Sequence, residues 1–321
     1  MNVAIIIVIL ILLVCLAIGG YTFFAACKRK KEYSWHDSGA IQNTSYAPYI
    51  NLITQSTQWL DSHLAKEVFI TSNDGLKLCA LWIPAENARG TILLAHGYRS
   101  TMLVDFGGVM DFYHNLGLNL LIPYQRSHGK SEGKYITFGV LESKDMLRWV
   151  DFHNSSLACC PMILSGLSMG ASTVMYMLDQ TLPANVVAAI VDCGFTSPAE
   201  IIGKVFHDVT HVRGSFFVRI ADIYARIFAK FSLYEKDSRM TLKYNSLPIL
   251  MVHGKADDFV PSYMSEQAFA CAGGKKHLLL AEDAGHGLSF LRSREEYISL
   301  IHEILDTTLA EQEKISCYQL K

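Results

Sequence analysis

Ser168 stands at the centre of Gly166-Leu167-Ser168-Met169-Gly170, directly after the apolar run Met162–Ser165 and ahead of a helical pattern. A serine on a sharp strand-to-helix bend is thrust above the sheet that carries it. The residues two before and two after it must be small, or they collide across the bend. A hydroxyl is a poor nucleophile unless a base takes its proton, and the base needs a carboxylate to orient it. Both should follow in chain order, acid then base. The acid is expected just after a late strand, where Ile249–Val252 runs into His253-Gly254-Lys255-Ala256-Asp257-Asp258. Asp257 is the choice, with Asp258 and Asp192 as alternatives. The base is expected after the last strand, where Ala284-Gly285-His286-Gly287 supplies His286. Such a set attacks a carbonyl carbon and forms an acyl-enzyme, whose oxyanion needs two backbone N–H donors. Met169, next to the serine, offers one. Tyr98, in Ala95-His96-Gly97-Tyr98-Arg99, offers the other. His96 is expected to hold that loop rather than to react.

Other patterns fail on chemistry. Gly129-Lys130-Ser131 resembles the end of a phosphate-binding loop, but Tyr124 stands where that motif needs glycine. His207 and His211 have the i, i+4 spacing of a zinc pair, yet Asp208 replaces the required glutamate, so no metal site is expected. Arg126, Ser127, His128 and Gly129 follow an apolar run and read as residues that pin a loop. No cofactor is implied.

The elements that would carry these residues alternate. Val68–Thr71 and Leu76–Ile83 flank Asn73-Asp74-Gly75 and predict a hairpin. Thr91–Ala95, Leu118–Ile122, Met162–Ser165, Val186–Val191, Ile249–Val252 and Lys276–Leu280 are short and nearly all apolar. Runs of that kind suit strands buried on both faces of a parallel sheet. Helices are expected over Tyr49–Leu64, Leu141–Phe152, Met169–Gln180 and Pro261–Cys271. A last one is expected where Tyr297, Leu300, Ile301, Ile304 and Leu305 keep one-face spacing. The pattern predicts a mostly parallel, doubly wound α/β domain over residues 49–321. Residues 197–246 break the rhythm and read as a helical cap insertion. There, Phe216, Ile220, Ile223, Ile227 and Phe231 predict a packing face, after Ser215 as N-cap.

The first 27 residues carry no charged side chain, and Val3–Phe24 is long enough, at ~1.5 Å per residue, to cross a bilayer. Lys28-Arg29-Lys30-Lys31 follows the apolar run rather than preceding it, unlike a secretory signal. A single-pass anchor over residues 1–27, a linker over 28–48 and a catalytic part on the cytoplasmic side are the expectations. A lipoprotein-type signal ending in Ala25-Ala26-Cys27 and an extracellular-side domain are the rivals. The formal net charge of −2 in a chain of 321 residues argues against a nucleic-acid partner. Eight cysteines without regular spacing read as reduced thiols rather than a disulfide framework.

Taken together, Asp74-Gly75-Leu76, His96-Gly97-Tyr98, Gln125-Arg126-Ser127-His128-Gly129-Lys130-Ser131-Glu132-Gly133, Thr137-Phe138-Gly139, the serine bend, His253-Gly254, Asp257, Val260-Pro261 and Ala284-Gly285-His286 resemble the α/β-hydrolase superfamily. More narrowly they are similar to bacterial membrane-associated hydrolases of the serine aminopeptidase-like and BEM46-like branches. The resemblance implies the α/β-hydrolase fold, with Ser168 as nucleophile, Asp257 as acid and His286 as base. Relatives commonly carry Asp where Tyr124 stands, so that loop is expected to be braced differently. The expected activity is hydrolysis of a carboxylic ester or thioester, on a small-molecule or lipid-like acyl substrate. An amide-cleaving peptidase is the second reading. It would need an acidic pair for a free amine, and Glu200 and Asp222 are isolated. A membrane-tethered binding protein without catalysis is the rival from another class.

Overall fold

The computed structural model describes residues 3–30 and 46–319. Most of the expected linker, residues 31–45, lies outside the described residues. Eight strands form one sheet: β1 (Lys66–Thr71), β2 (Lys77–Ile83), β3 (Gly90–Ala95), β4 (Leu118–Pro123), β5 (Met162–Leu167), β6 (Val186–Asp192), β7 (Ile249–Gly254) and β8 (Lys276–Ala281). Their spatial order is β1-β2-β4-β3-β5-β6-β7-β8. The pairs β1/β2 and β2/β4 run antiparallel and the others parallel. The expected hairpin is β1–β2, turning at Gly75 with φ +88°. β3 to β7 are buried along their whole length, which explains why the sequence reads there as nearly all apolar.

Helices cover both faces. On one lie α3 (Val140–Phe152), α4 (Met169–Met177) and α7 (Tyr263–Cys271), whose Met146, Trp149, Val174, Met175 and Ala268 pack with Leu93, Leu164 and Met251. On the other lie α2 (Ile50–Ser62) and α8 (Arg294–Gln319), with Tyr297, Ile301, Ile304 and Leu305 against Ile163, Ile190 and Leu250. That is the one-face spacing expected of the last helix.

Residues 197–246 are helical where they are regular, chiefly α5 (Pro198–Thr210) and α6 (Ser215–Tyr224). Two details of the expected cap need correction. Gly214, not Ser215, takes the N-cap position, and Ser215 is the first residue of α6. The expected stripe is split: Ile220 and Phe231 are buried, but Phe216, Ile223 and Ile227 are 55%, 51% and 56% exposed. The reason is the partner. α6 packs against the N-terminal helix α1 (Val3–Cys27), and small side chains meet there. A Cβ on Gly19 would come within 2.3 Å of Ile220, and one on Gly20 within 3.0 Å of Tyr224. Val218, Ala221 and Ala225 therefore turn inward with Phe23 and Cys27, and the large residues turn out.

α1 is long and apolar enough to cross a membrane by length and composition. Its first half is exposed and its C-terminal part, from Gly19, is largely packed against the domain. The chain beyond it is clipped down at once. Lys28 bridges Tyr135, and Arg29 donates to the carbonyls of Gly129 and Ser131 at 2.7 and 2.8 Å.

Candidate active site

The bend after β5 strains Ser168 into φ 56°, ψ −117°, a region that L-residues rarely occupy. Its neighbours have no room for a side chain. A Cβ on Gly166 would come within 2.3 Å of the Gly170 backbone, and one on Gly170 within 1.8 Å of the Ala95 carbonyl oxygen. The Ser168 N–H donates to the Asp192 carbonyl at 2.8 Å, which ties the bend to the end of β6.

Ser168, His286 and Asp257 come together. His286 Nε2 lies 2.9 Å from Ser168 Oγ, and His286 Nδ1–H donates to Asp257 Oδ2 at 2.7 Å. Asp257 Oδ1 accepts from the N–H groups of Phe259 and Val260 at 2.9 and 2.8 Å. Burial alone would raise the Asp257 pKa. Hydrogen bonds from His253 and His286, the imidazole's charge and the Val260 N–H outweigh it and hold the group at about 2. The carboxylate is therefore ionised throughout the neutral range. Of the alternatives, Asp258 is exposed, and its carbonyl takes a hydrogen bond from Lys204. Asp192 is buried and accepts from Ser289 Oγ at 2.9 Å. Burial pushes its pKa up to about 6.

The Tyr98 and Met169 N–H groups donate to no acceptor among the described residues. Met169 begins α4 beside the serine, and Tyr98 follows β3. His96 does hold this loop: Nδ1–H donates to the Gly97 carbonyl at 2.8 Å, while Nε2 accepts from Gln125 N–H at 3.0 Å. Burial drives its pKa down to about 4, so it is neutral. His128 accepts from Arg99 N–H at 3.0 Å. Arg126 clamps Asp145 at 2.6 and 2.7 Å and Asp74 at 3.0 Å, which pins the loop after β4.

Three contributions escaped the sequence analysis. Asp105 accepts from Gly97 N–H and Ser100 Oγ and so fixes the donor loop; no motif surrounds it. His253 donates to the Val260 carbonyl at 2.7 Å and lies 3.3 Å from Asp257 Oδ2, steadying the acid turn. Its place at the end of β7, in the His253-Gly254 pair, was its signal in the sequence. The third is α1, which walls the space in front of the serine.

That space is an apolar cavity of about 880 Å³ opening over Ser168. Phe138, Phe195, Ile201, Ile202 and Phe206 line one side, and α1 lines the other. A tighter void of about 40 Å³ lies behind β5, near Asp105 and Asp192. Cys193, Asp257 and His286 offer ligand atoms within 4.8 Å of one another. A metal there would have to break the Asp257–His286 hydrogen bond, and burial keeps the Cys193 thiol protonated. His207 and His211 are not joined in such a cluster; His207 Nδ1 points to the Val212 carbonyl.

No family model matches the chain. The uncharacterized protein YqkD of Bacillus subtilis is 25% identical over 238 residues, covering 74% of this chain and 78% of that protein. The esterase Pf2001 of Pyrococcus furiosus superposes with a TM-score of 0.60 at 23% identity, covering 77% of this chain and 94% of the other. The mouse alpha/beta hydrolase domain-containing protein 10 gives a TM-score of 0.57 at 19% identity, with 76% and 99% covered. The chain has the α/β-hydrolase fold. Ser168, Tyr98, Asp257 and His286 follow β5, β3, β7 and β8, strands that run parallel, so all four stand at the same, C-terminal end of the sheet.

Proposed function

We propose that the protein is a serine hydrolase that cleaves a carboxylic ester or thioester through an acyl-enzyme. The observation that carries this reading is the unbroken hydrogen-bond chain from Ser168 Oγ through His286 to Asp257. His286 Nε2 takes the Ser168 hydroxyl proton as Oγ attacks the acyl carbon, and Asp257 stabilises the imidazolium that forms. The Tyr98 and Met169 N–H groups receive the oxyanion. Collapse of the tetrahedral intermediate returns the proton to the leaving oxygen or sulfur. Water, deprotonated by the same imidazole, then releases the acid and restores Ser168.

The cavity supports an apolar acyl group. Its lining carries no carboxylate among the described residues, and the two acids that a peptidase reading would use are occupied. Asp222 is bound by Arg226, Ser232 and the Leu233 N–H, and Glu200 by Thr196 and Arg239. We further read α1 as a single-pass anchor, with the basic run after it keeping the domain on the cytoplasmic side. The test is p-nitrophenyl esters of graded chain length assayed beside aminoacyl-p-nitroanilides. Ester turnover with a pre-steady-state burst of one equivalent supports the reading. Turnover of the anilides alone contradicts it.

A further inference from the structure

We propose that α1 is a wall of the acyl site as well as an anchor, and that the substrate is a long-chain acyl ester drawn sideways from the bilayer. This rests on the hydrolase reading of Ser168. Val14, Ala17, Ile18, Tyr21, Thr22 and Ala26 of α1 line the cavity over the serine. From Val14 to Ala26 that wall is about 18 Å long at 1.5 Å per residue, so it follows an extended acyl chain rather than a short one.

The same residues that form the wall belong to the segment apolar enough to span a membrane. A groove beside them is therefore met by lipid before water. The cap agrees. Val209, Val212, Phe216, Ile223, Ile227 and Phe228 of this region are exposed, with Val209 and Val212 at the cavity and Phe228 against Phe23 and Phe24 of α1. Exposed apolar side chains beside a membrane helix are ones that acyl chains cover. Arg213 and Arg219 on the cap are exposed, and their long stems set the depth: the cap reaches into one leaflet, with the guanidinium groups at the headgroups.

The wall is also held in register with the chemistry. The C-terminal carbonyls of a helix lack partners within it. Here Tyr98 Oη donates to the Ala26 carbonyl at 2.6 Å, and Arg99 Nη2 donates to the carbonyls of Ala25 at 2.8 Å and Lys28 at 3.1 Å. Tyr98, whose N–H is the proposed oxyanion donor, thus grips the end of the anchor with its side chain. α1 cannot swing away without disturbing the oxyanion site.

The experiment uses the full chain in phosphatidylcholine vesicles, with p-nitrophenyl butyrate in the aqueous phase and p-nitrophenyl palmitate in the bilayer. Ala17→Trp fills the cavity from the α1 side; Leu10→Trp, on the exposed part of α1, is the control. The palmitate-to-butyrate rate ratio should fall at least tenfold in Ala17→Trp and stay within twofold of wild type in Leu10→Trp. An unchanged ratio in Ala17→Trp overturns the proposal. Binding is read apart from turnover, in Ser168→Ala protein with a phospholipid carrying a tail diazirine. Photolabel on Phe138 or Phe195, which are buried and reachable only inside the cavity, supports the site even where wild type hydrolyses nothing, an outcome that would sink the hydrolase reading instead. Label confined to the lipid-facing residues of α1 overturns the proposal.

Discussion

Replacing Asp257 with Asn tests the site through a single atom. Both carboxylate oxygens are acceptors: Oδ1 takes two backbone N–H bonds from Phe259 and Val260, and Oδ2 takes Nδ1–H of His286. Asn keeps one oxygen. It stays where two fixed backbone donors demand it, so the NH2 group must face His286. The imidazole then accepts at Nδ1 and carries its proton on Nε2, where it donates towards Ser168 and cannot take the hydroxyl proton. The shape is unchanged and the base is lost. A tautomer error of this kind costs about 10⁴ in kcat, equivalent to about 5 kcal/mol of transition-state stabilisation. Asp258→Asn, the next residue in the same turn but exposed, should leave kcat within about twofold, as a surface change outside the site would. The assay is steady-state hydrolysis of a short p-nitrophenyl ester, with circular dichroism to verify folding. A loss under tenfold for Asp257→Asn, or an equal loss for Asp258→Asn, refutes the reasoning.

Three other substitutions probe the frame. Gly170→Ala drives a methyl group to 1.8 Å from the Ala95 carbonyl oxygen; because the clash is with backbone rather than a flexible side chain, it should cost more than ~3 kcal/mol, and a thermal midpoint within about 2 °C of wild type would contradict that. Arg126→Met strands buried Asp145, whose carboxylate loses the guanidinium clamp at 2.6 and 2.7 Å. The expected cost is ~3–5 kcal/mol in denaturant unfolding, with most of it recovered when Asp145→Leu is added. Asp192 has a folded pKa raised to about 6 by burial, so the folded state holds its proton where the unfolded state has lost it. Stability from this group is present at low pH and is lost as pH rises from ~4 to about 6. Asp192→Asn should therefore gain on wild type by roughly 1–3 kcal/mol between pH 4 and pH 8; a pH-independent difference would refute it.

The strands were legible because parallel strands buried on both faces leave no polar residue to interrupt them, as in Met162–Ser165 and Val186–Val191. The meeting of Ser168, Asp257 and His286 was foreshadowed because each stands in a turn that follows a mostly apolar run. What escaped notice depends on contacts between distant segments. Phe216, Ile223 and Ile227 keep helical spacing, yet the helix presents Ile220, Ala221 and Tyr224 to its partner. The partner is the N-terminal helix, and apolar residues bound for lipid look the same in sequence as apolar residues bound for a groove. Gly19 and Gly20 were the trace of that packing, and a glycine pair in an apolar run does not name its partner. Asp105 escaped for a similar reason: a half-buried carboxylate that accepts from a loop eight residues away leaves no motif.

The most direct measurement is the attachment site of a fluorophosphonate on the full-length chain, located by peptide mass spectrometry. The account predicts a single adduct on Ser168, absent from Ser168→Ala and slowed by about 10³-fold or more in His286→Ala, since the hydroxyl reacts only when its proton has a base to receive it. An adduct on another residue, or labelling that survives Ser168→Ala undiminished, would contradict it.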